Sequence, residues 1–123
     1  MAEAAAAQGA SHLIYVSSAS VTYRKYRTSY SRSKADAERI VRSMKDMHVT
    51  IVRPTLVYDR TGGQEIEMFA RVLGSLPIVP FIGDGAARKR PVFATDVVDG
   101  LAAIAGNPGA HGKTYNFSGA ETV

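Results

Sequence analysis

Apolar residues recur along this chain in two alternating periods. Leu13-Ile-Tyr-Val16 is a continuous apolar run ending in hydroxyls, which predicts a strand from His12 to Ser17 buried on both faces inside a covered, parallel sheet. Downstream, Ala37, Ile40, Val41 and Met44 fall at i, i+3, i+4 and i+7, so one apolar stripe predicts a helix from Ser29 to Met47. The β-branched run Val49-Thr-Ile-Val-Arg53 is a second strand, stopped by Pro54. Strand, crossover helix and strand make a βαβ unit, and ligands of such sheets sit at the carboxyl ends of the strands. Ser17, Ser18, Pro54 and Thr55 occupy those ends.

The flanks follow the same logic. Residues 2–8 are alanine-rich and read as a helix ended by Gly9, and residues 19–27 read as a loop. Thr61 and Gln64 have capping-box spacing ahead of a helix with Ile66, Phe69, Ala70 and Leu73 on one face, stopped at Gly74. Two prolines and two glycines limit residues 76–85 to short extended pieces, and residues 88–95 form a brief strand. Thr95 is positioned to cap a helix through Val97, Leu101, Ala102 and Ile104 to Gly106. The turn Asn107-Pro-Gly109 then leads to a last strand at residues 114–117. The methionines at 44, 47 and 68 suit helix packing. The whole chain, residues 1–123, reads as one α/β domain with a doubly wound parallel sheet.

Composition narrows the chemistry. Cysteine is absent, so disulfides and thiolate metal sites are excluded, and His12, His48 and His111 are widely separated with no metal-ligand spacing. No apolar run is long enough to cross a membrane, and the opening residues lack the pattern of a secretion signal, which predicts a cytoplasmic location. Net charge is +4, with eight of the 15 Lys and Arg between Arg24 and Lys45. That run reads as a solvated helix face beside a site for an anionic ligand. A nucleic-acid role is the weaker reading, because no DNA or RNA motif accompanies the charge.

Three residue types point to one reaction. Tyr30 and Lys34 are four apart on a helix and therefore share a face, and Ser18 precedes them at a strand's end. A phenol is a weak base, and a neighbouring ammonium favours its phenolate. Tyr30 could then exchange a proton with a carbonyl or alcohol oxygen held by Ser18, which is the proton half of a hydride transfer completed by a cofactor.

The combination of residues 13–19, Tyr30-x-x-x-Lys34, Ile51-Val-Arg-Pro-Thr-Leu-Val-Tyr58, Gly83-Asp-Gly85, Pro91-Val-Phe-Ala-Thr-Asp-Val97 and Tyr115-Asn-Phe-Ser-Gly119 resembles the extended and atypical short-chain dehydrogenase/reductases, the NAD-dependent epimerase/dehydratase group. The resemblance implies a partial Rossmann-like fold, NAD or NADP as cofactor, and a small-molecule substrate such as a nucleotide sugar. It makes Ser18 the orienting hydroxyl, Tyr30 the acid/base, and Lys34 the residue that tunes Tyr30 and grips the nicotinamide ribose. Ser17, Pro54, Thr55 and Val57 would lie against the cofactor. Lys89 and Arg90 would meet substrate phosphates, with Lys89 where an arginine is usual, a point charge in place of a bidentate fork.

The departures shape further expectations. The family opens with a Gly-rich pyrophosphate turn, and no G-x-x-G-x-x-G occurs here, so the sequence looks like the middle-to-late part of a longer protein with little turnover alone. Thr22-Tyr23-Arg24 replaces the usual tyrosine-glycine pair, and Asp59 replaces a glycine, which favours the atypical branch. That branch includes non-catalytic accessory subunits of respiratory complexes, so a protein-binding module is the alternative function. The strand at residues 12–17 would lack its earlier neighbour, and its open edge, or helix pairing, predicts a homo-oligomer.

Overall fold

The computed structural model describes residues 2–23, 28–60, 67, 71–72, 74–75 and 88–122. Expected elements at residues 61–73 and 76–85 fall mostly or wholly outside them. Helix α1 (Ala2–Ala7) ends at Gly9, whose φ of +81° suits glycine, and leads to strand β1 (His12–Val16). A 3₁₀ turn (Ala19–Thr22) follows, then helix α2 (Ser29–Arg42) and strand β2 (His48–Pro54). Strands β3 (Val57–Tyr58) and β4 (Val92–Phe93) are short, helix α3 (Ala94–Ile104) follows directly, and strand β5 (Thr114–Phe117) closes the order.

The main sheet has the order β1-β2-β5, and both pairings are parallel. His12 lies opposite His48 and Val16 opposite Val52, while Val52 lies opposite Tyr115. Strands β3 and β4 form a separate parallel pair. Side chains alternate between the faces of the main sheet. One face carries Ile14, Val52, Tyr115 and Phe117, which pack with Leu101 and Ile104 of α3 and with Ala110. On the other face Arg53 and Thr114 hydrogen-bond to Glu38 and Arg42 of α2. Helices thus cover both faces. Full burial of Ile51 and Val52 at the centre of β2 contributes about 1.5–3 kcal/mol each.

Several expectations need correction. β1 is only half-buried, because it forms an edge of the described sheet. Ser11 O and Ser17 N bond to β2, so by alternation His12, Ile14 and Val16 turn their peptide groups to the open side. Helix α2 starts where expected, with Thr28 Oγ1 accepting from Ser31 N at 3.1 Å, but it stops at Arg42 rather than Met47. Its buried positions are Ser31, Glu38 and Val41, and Ile40 is 65% exposed. The stripe is rotated because Glu38, not an aliphatic side chain, meets the sheet. Thr95 does not cap α3: the N-cap is Phe93, with no side-chain hydrogen bond.

Candidate active site

The carboxyl ends of the parallel strands open into a cavity of about 650 Å³. Ser18 and Ser20 line it after β1, Tyr30 from the first turn of α2, Pro54, Thr55 and Leu56 at the end of β2, and Ser118 after β5. Arg88, Lys89 and Arg90 form a cationic wall. Thr55 Oγ1 donates to Arg90 O at 2.5 Å, and Arg90 Nε donates to Thr122 Oγ1 at 2.9 Å, so the wall is tied to β2 and to the chain after β5.

Ser18 caps the 3₁₀ turn: its Oγ accepts from Ser20 N at 3.2 Å and lies 2.9 Å from Ser20 Oγ. Tyr30 is 55% exposed, and its hydroxyl makes no hydrogen bond among the described residues. Lys34 does not line the cavity but stands behind Tyr30. Its ammonium is 5.9 Å from the Tyr30 ring centroid and 5.4 Å from that of Tyr15, and it donates to Val16 O at 3.0 Å. That carbonyl is on the open side of β1, which is why it has room for a side-chain donor. An ammonium has three donors, so two remain for a ligand.

Below this lies an ion pair that the sequence did not disclose. Arg53 donates from Nε and Nη2 to the two carboxylate oxygens of Glu38 at 2.8 and 2.6 Å, and Arg42 Nη2 is 3.8 Å from Glu38 Oε2. Burial alone would raise the Glu38 pKa, but hydrogen bonds from Arg53, the nearby Ser17 hydroxyl and the charges of Arg53 and Arg42 bring it below the ordinary carboxylate value. Glu38 in turn raises the Arg53 pKa. Ser17 Oγ is buried and meets no strict hydrogen-bond geometry. Its effect on Glu38 is that of a neighbouring dipole rather than of a formed bond.

Residues 1–118 match the NAD dependent epimerase/dehydratase family. The chain belongs to that family. It is 30% identical over 94 residues to the mitochondrial NADH dehydrogenase [ubiquinone] 1 alpha subcomplex subunit 9 of Dictyostelium discoideum, covering 75% of this chain and 25% of that protein. Among solved structures it superposes on an epimerase from Methanothermobacter thermautotrophicus with TM-score 0.76 and 20% identity, covering 99% of this chain and 43% of that one. A dTDP-glucose 4,6-dehydratase from Streptomyces venezuelae, solved with NAD and TYD, gives 0.77 and 23%, covering 98% and 42%. A UDP-glucuronic acid 4-epimerase from Bacillus cereus, solved with NAD, gives 0.77 and 20%, covering 98% and 44%. These likenesses show a Rossmann-like α/β fold. The chain spans about a quarter of the curated relative and about two-fifths of these structures.

Within this epimerase/dehydratase chain the sequence-derived site residues divide. Ser18, Tyr30, Pro54, Thr55, Lys89 and Arg90 share the cavity, and Lys34 flanks it. Ser17 sits beneath, at Glu38. Val57 is outside the lining, because it pairs with Val92 in the separate two-strand sheet. The sequence reading missed Ser20, Tyr23, Arg88 and Thr122 as lining residues. Adjacency to Ser18 and to Lys89-Arg90 could have suggested Ser20 and Arg88.

The other end of the sheet holds a second surprise. His12, His48 and His111, far apart in sequence, meet at the amino ends of β1 and β2. The His48 and His111 rings stack with centroids 4.1 Å apart, and His12 meets His111 edge-on at 4.5 Å. Thr50 Oγ1 donates to Ala110 O at 2.7 Å, so its contact with His12 Nε2 at 2.8 Å is one it accepts, which places a proton on that nitrogen. Stacked rings do not converge their nitrogens on one point, and no group among the described residues has the geometry to hold a metal ion.

Proposed function

We propose that this chain carries the acid/base end of an NAD(P)-dependent epimerase, dehydratase or reductase site. The observation behind the reading is that Ser18 and Tyr30 face one cavity at the carboxyl ends of parallel strands, with Lys34 behind Tyr30. Tyr30 exchanges the proton with a substrate oxygen that the Ser18 hydroxyl orients. Lys34 supplies positive charge beside the phenol and, with its two remaining donors, meets the cofactor's ribose hydroxyls. A bound nicotinamide, from NAD or NADP, provides the hydride half of the reaction. Arg88, Lys89 and Arg90 provide the charge for an anionic substrate such as a nucleotide sugar, the class of the UDP-glucuronic acid bound in one solved relative.

In the longest natural form of the protein, Tyr30→Phe should lower turnover by orders of magnitude while leaving the melting temperature within a degree or two. Nucleotide sugars would be screened with NAD and with NADP, and unchanged turnover would refute the assignment. For the chain alone, little turnover is expected.

The Dictyostelium relative favours a second reading, an accessory subunit that binds protein through the open edge of β1. In this reading residence is mitochondrial rather than cytoplasmic. A homo-oligomer formed through the same edge is the simplest version when no partner is present. Among the described residues no helix is long and apolar enough to cross a membrane. Light scattering at high micromolar concentration checks self-association, and a clean monomer would count against it.

A further inference from the structure

Three separate segments carry the groups of the proposed site: the end of β1 with Ser18, the start of α2 with Tyr30 and Lys34, and the end of β2 with Pro54 and Thr55. A single carboxylate, Glu38, touches a residue in or next to each. It lies one helical turn beyond Lys34 and two beyond Tyr30, on the same face of α2. It takes both hydrogen bonds of Arg53, the residue before Pro54, at 2.8 and 2.6 Å. It also lies beside the buried hydroxyl of Ser17, the residue before Ser18.

We propose that Glu38 is a positioning residue: with Arg53, and beside Ser17, it fixes the height and rotation of α2 over the strand ends, and so keeps the Lys34 ammonium, which travels with Tyr30 on α2, at the Val16 carbonyl and the Tyr15 ring of β1. The term "site" rests on the reading above; the geometric claim does not.

Chemistry favours this over a simple stabilising pair. A carboxylate held by a two-pronged guanidinium has a defined plane, so the pair resists both rotation and sliding of the helix. An aliphatic residue at position 38 would bury as well but leave α2 free to rotate. Lys34 is sensitive to such rotation, because two of its contacts, the Val16 carbonyl and the Tyr15 ring, lie on β1, whereas Tyr30 moves with it on α2.

The experiment is solution NMR of the full chain, reading the ring-current shift of the Lys34 ε-methylene and its NOEs to the Tyr15 and Tyr30 rings. Glu38→Ala should lose the Tyr15 part of that shift and the Tyr15 NOEs, measured well below its melting temperature, while the NOEs to Tyr30 on the same helix persist. Glu38→Gln keeps the shape and one acceptor; it should give an intermediate shift, and it carries the test should Glu38→Ala fail to fold. The exchanged pair E38R/R53E should recover melting temperature without recovering the shift, because Ser17 would then face an arginine. Ile104→Ala, on the opposite face, serves as the destabilised control and should leave the Lys34 signals unmoved. Unchanged Lys34 shift and NOEs in both Glu38 variants would overturn the proposal, as would an equal loss in the control. Full activity of Tyr30→Phe would instead remove the catalytic reading and leave this result standing.

Discussion

The two ends of the main sheet differ in how their charges are balanced. Behind the cavity at the carboxyl end, the buried carboxylate of Glu38 sits between Arg53 and Arg42, with opposite charge beside it. At the amino end, three imidazoles contact one another, Arg42 and His48 line a neighbouring hollow, and no carboxylate forms an ion pair with any of the three among the described residues. The buried carboxylate at one end is neutralised by its neighbours, whereas at the other end the environment of His111 disfavours its charged form. The same sheet should therefore respond to acid unevenly, giving way first at the end away from the site.

Removing the charge balance at the carboxyl end should have the largest effect on stability. Glu38→Ala leaves Arg53 unpaired and should destabilise by about 2–3 kcal/mol, less than for a fully enclosed pair because about a fifth of the Arg53 side chain reaches water. Denaturant titration checks this, and a loss under about 0.5 kcal/mol would show that water replaces the pair. At the amino end, Thr50→Val removes the acceptor for His12 Nε2 and the donor for Ala110 O without changing shape, and should lose about 1–3 kcal/mol. Comparable losses from the two variants would mean that the ends differ in pH response and not in strength.

The smallest effect sharpens the comparison most. The His111 pKa lies below its ordinary value because of desolvation and the nearby His48 and His12. The unfolded chain therefore takes up that proton first, and the stability this histidine contributes is present above pH ~6.5 and lost as pH falls through its lower folded value. Glu38 is also depressed, from 4.5, so its contribution is present above that value and is lost only as pH falls below it. Hydrogen exchange at pH 5.5, corrected for intrinsic rates, should show weaker protection for Gly112 N, bonded to Val49 O. Thr55 N, bonded to Phe117 O at the other end, should be unaffected. His111→Gln should abolish the difference; equal protection at both ends in the native protein would end the distinction.

Local periodicity was enough to read the strands around residues 14, 51 and 115, the start of α2 and the parallel crossover, because each is a property of a short window. What it could not read depends on how those windows meet. The stripe 37-40-41-44 and the observed buried set 31-38-41 are both helical patterns, and only the presence of Arg53 on the facing strand selects the second. The histidines were dismissed because their spacing carries no ligand pattern, yet parallel register sets residue 12 opposite residue 48 and the turn before β5 brings residue 111 over both. For the site, family likeness placed Ser18 and Tyr30 in one cavity, while the involvement of Arg88 and Thr122 waited on the path of the chain beyond β5.

Parallel pairing also dictates an order of events during folding. Residue 12 must find residue 48, and residue 51 must find residue 114, before either ladder gains its first hydrogen bond. The entropy of closing those loops is therefore lost before any contact compensates for it, which makes collapse to the native sheet slow compared with a helical bundle of this length. During that delay the outer side of β1 is available to any neighbouring chain, so refolding yield should fall as concentration rises, a kinetic competition written into the strand order itself.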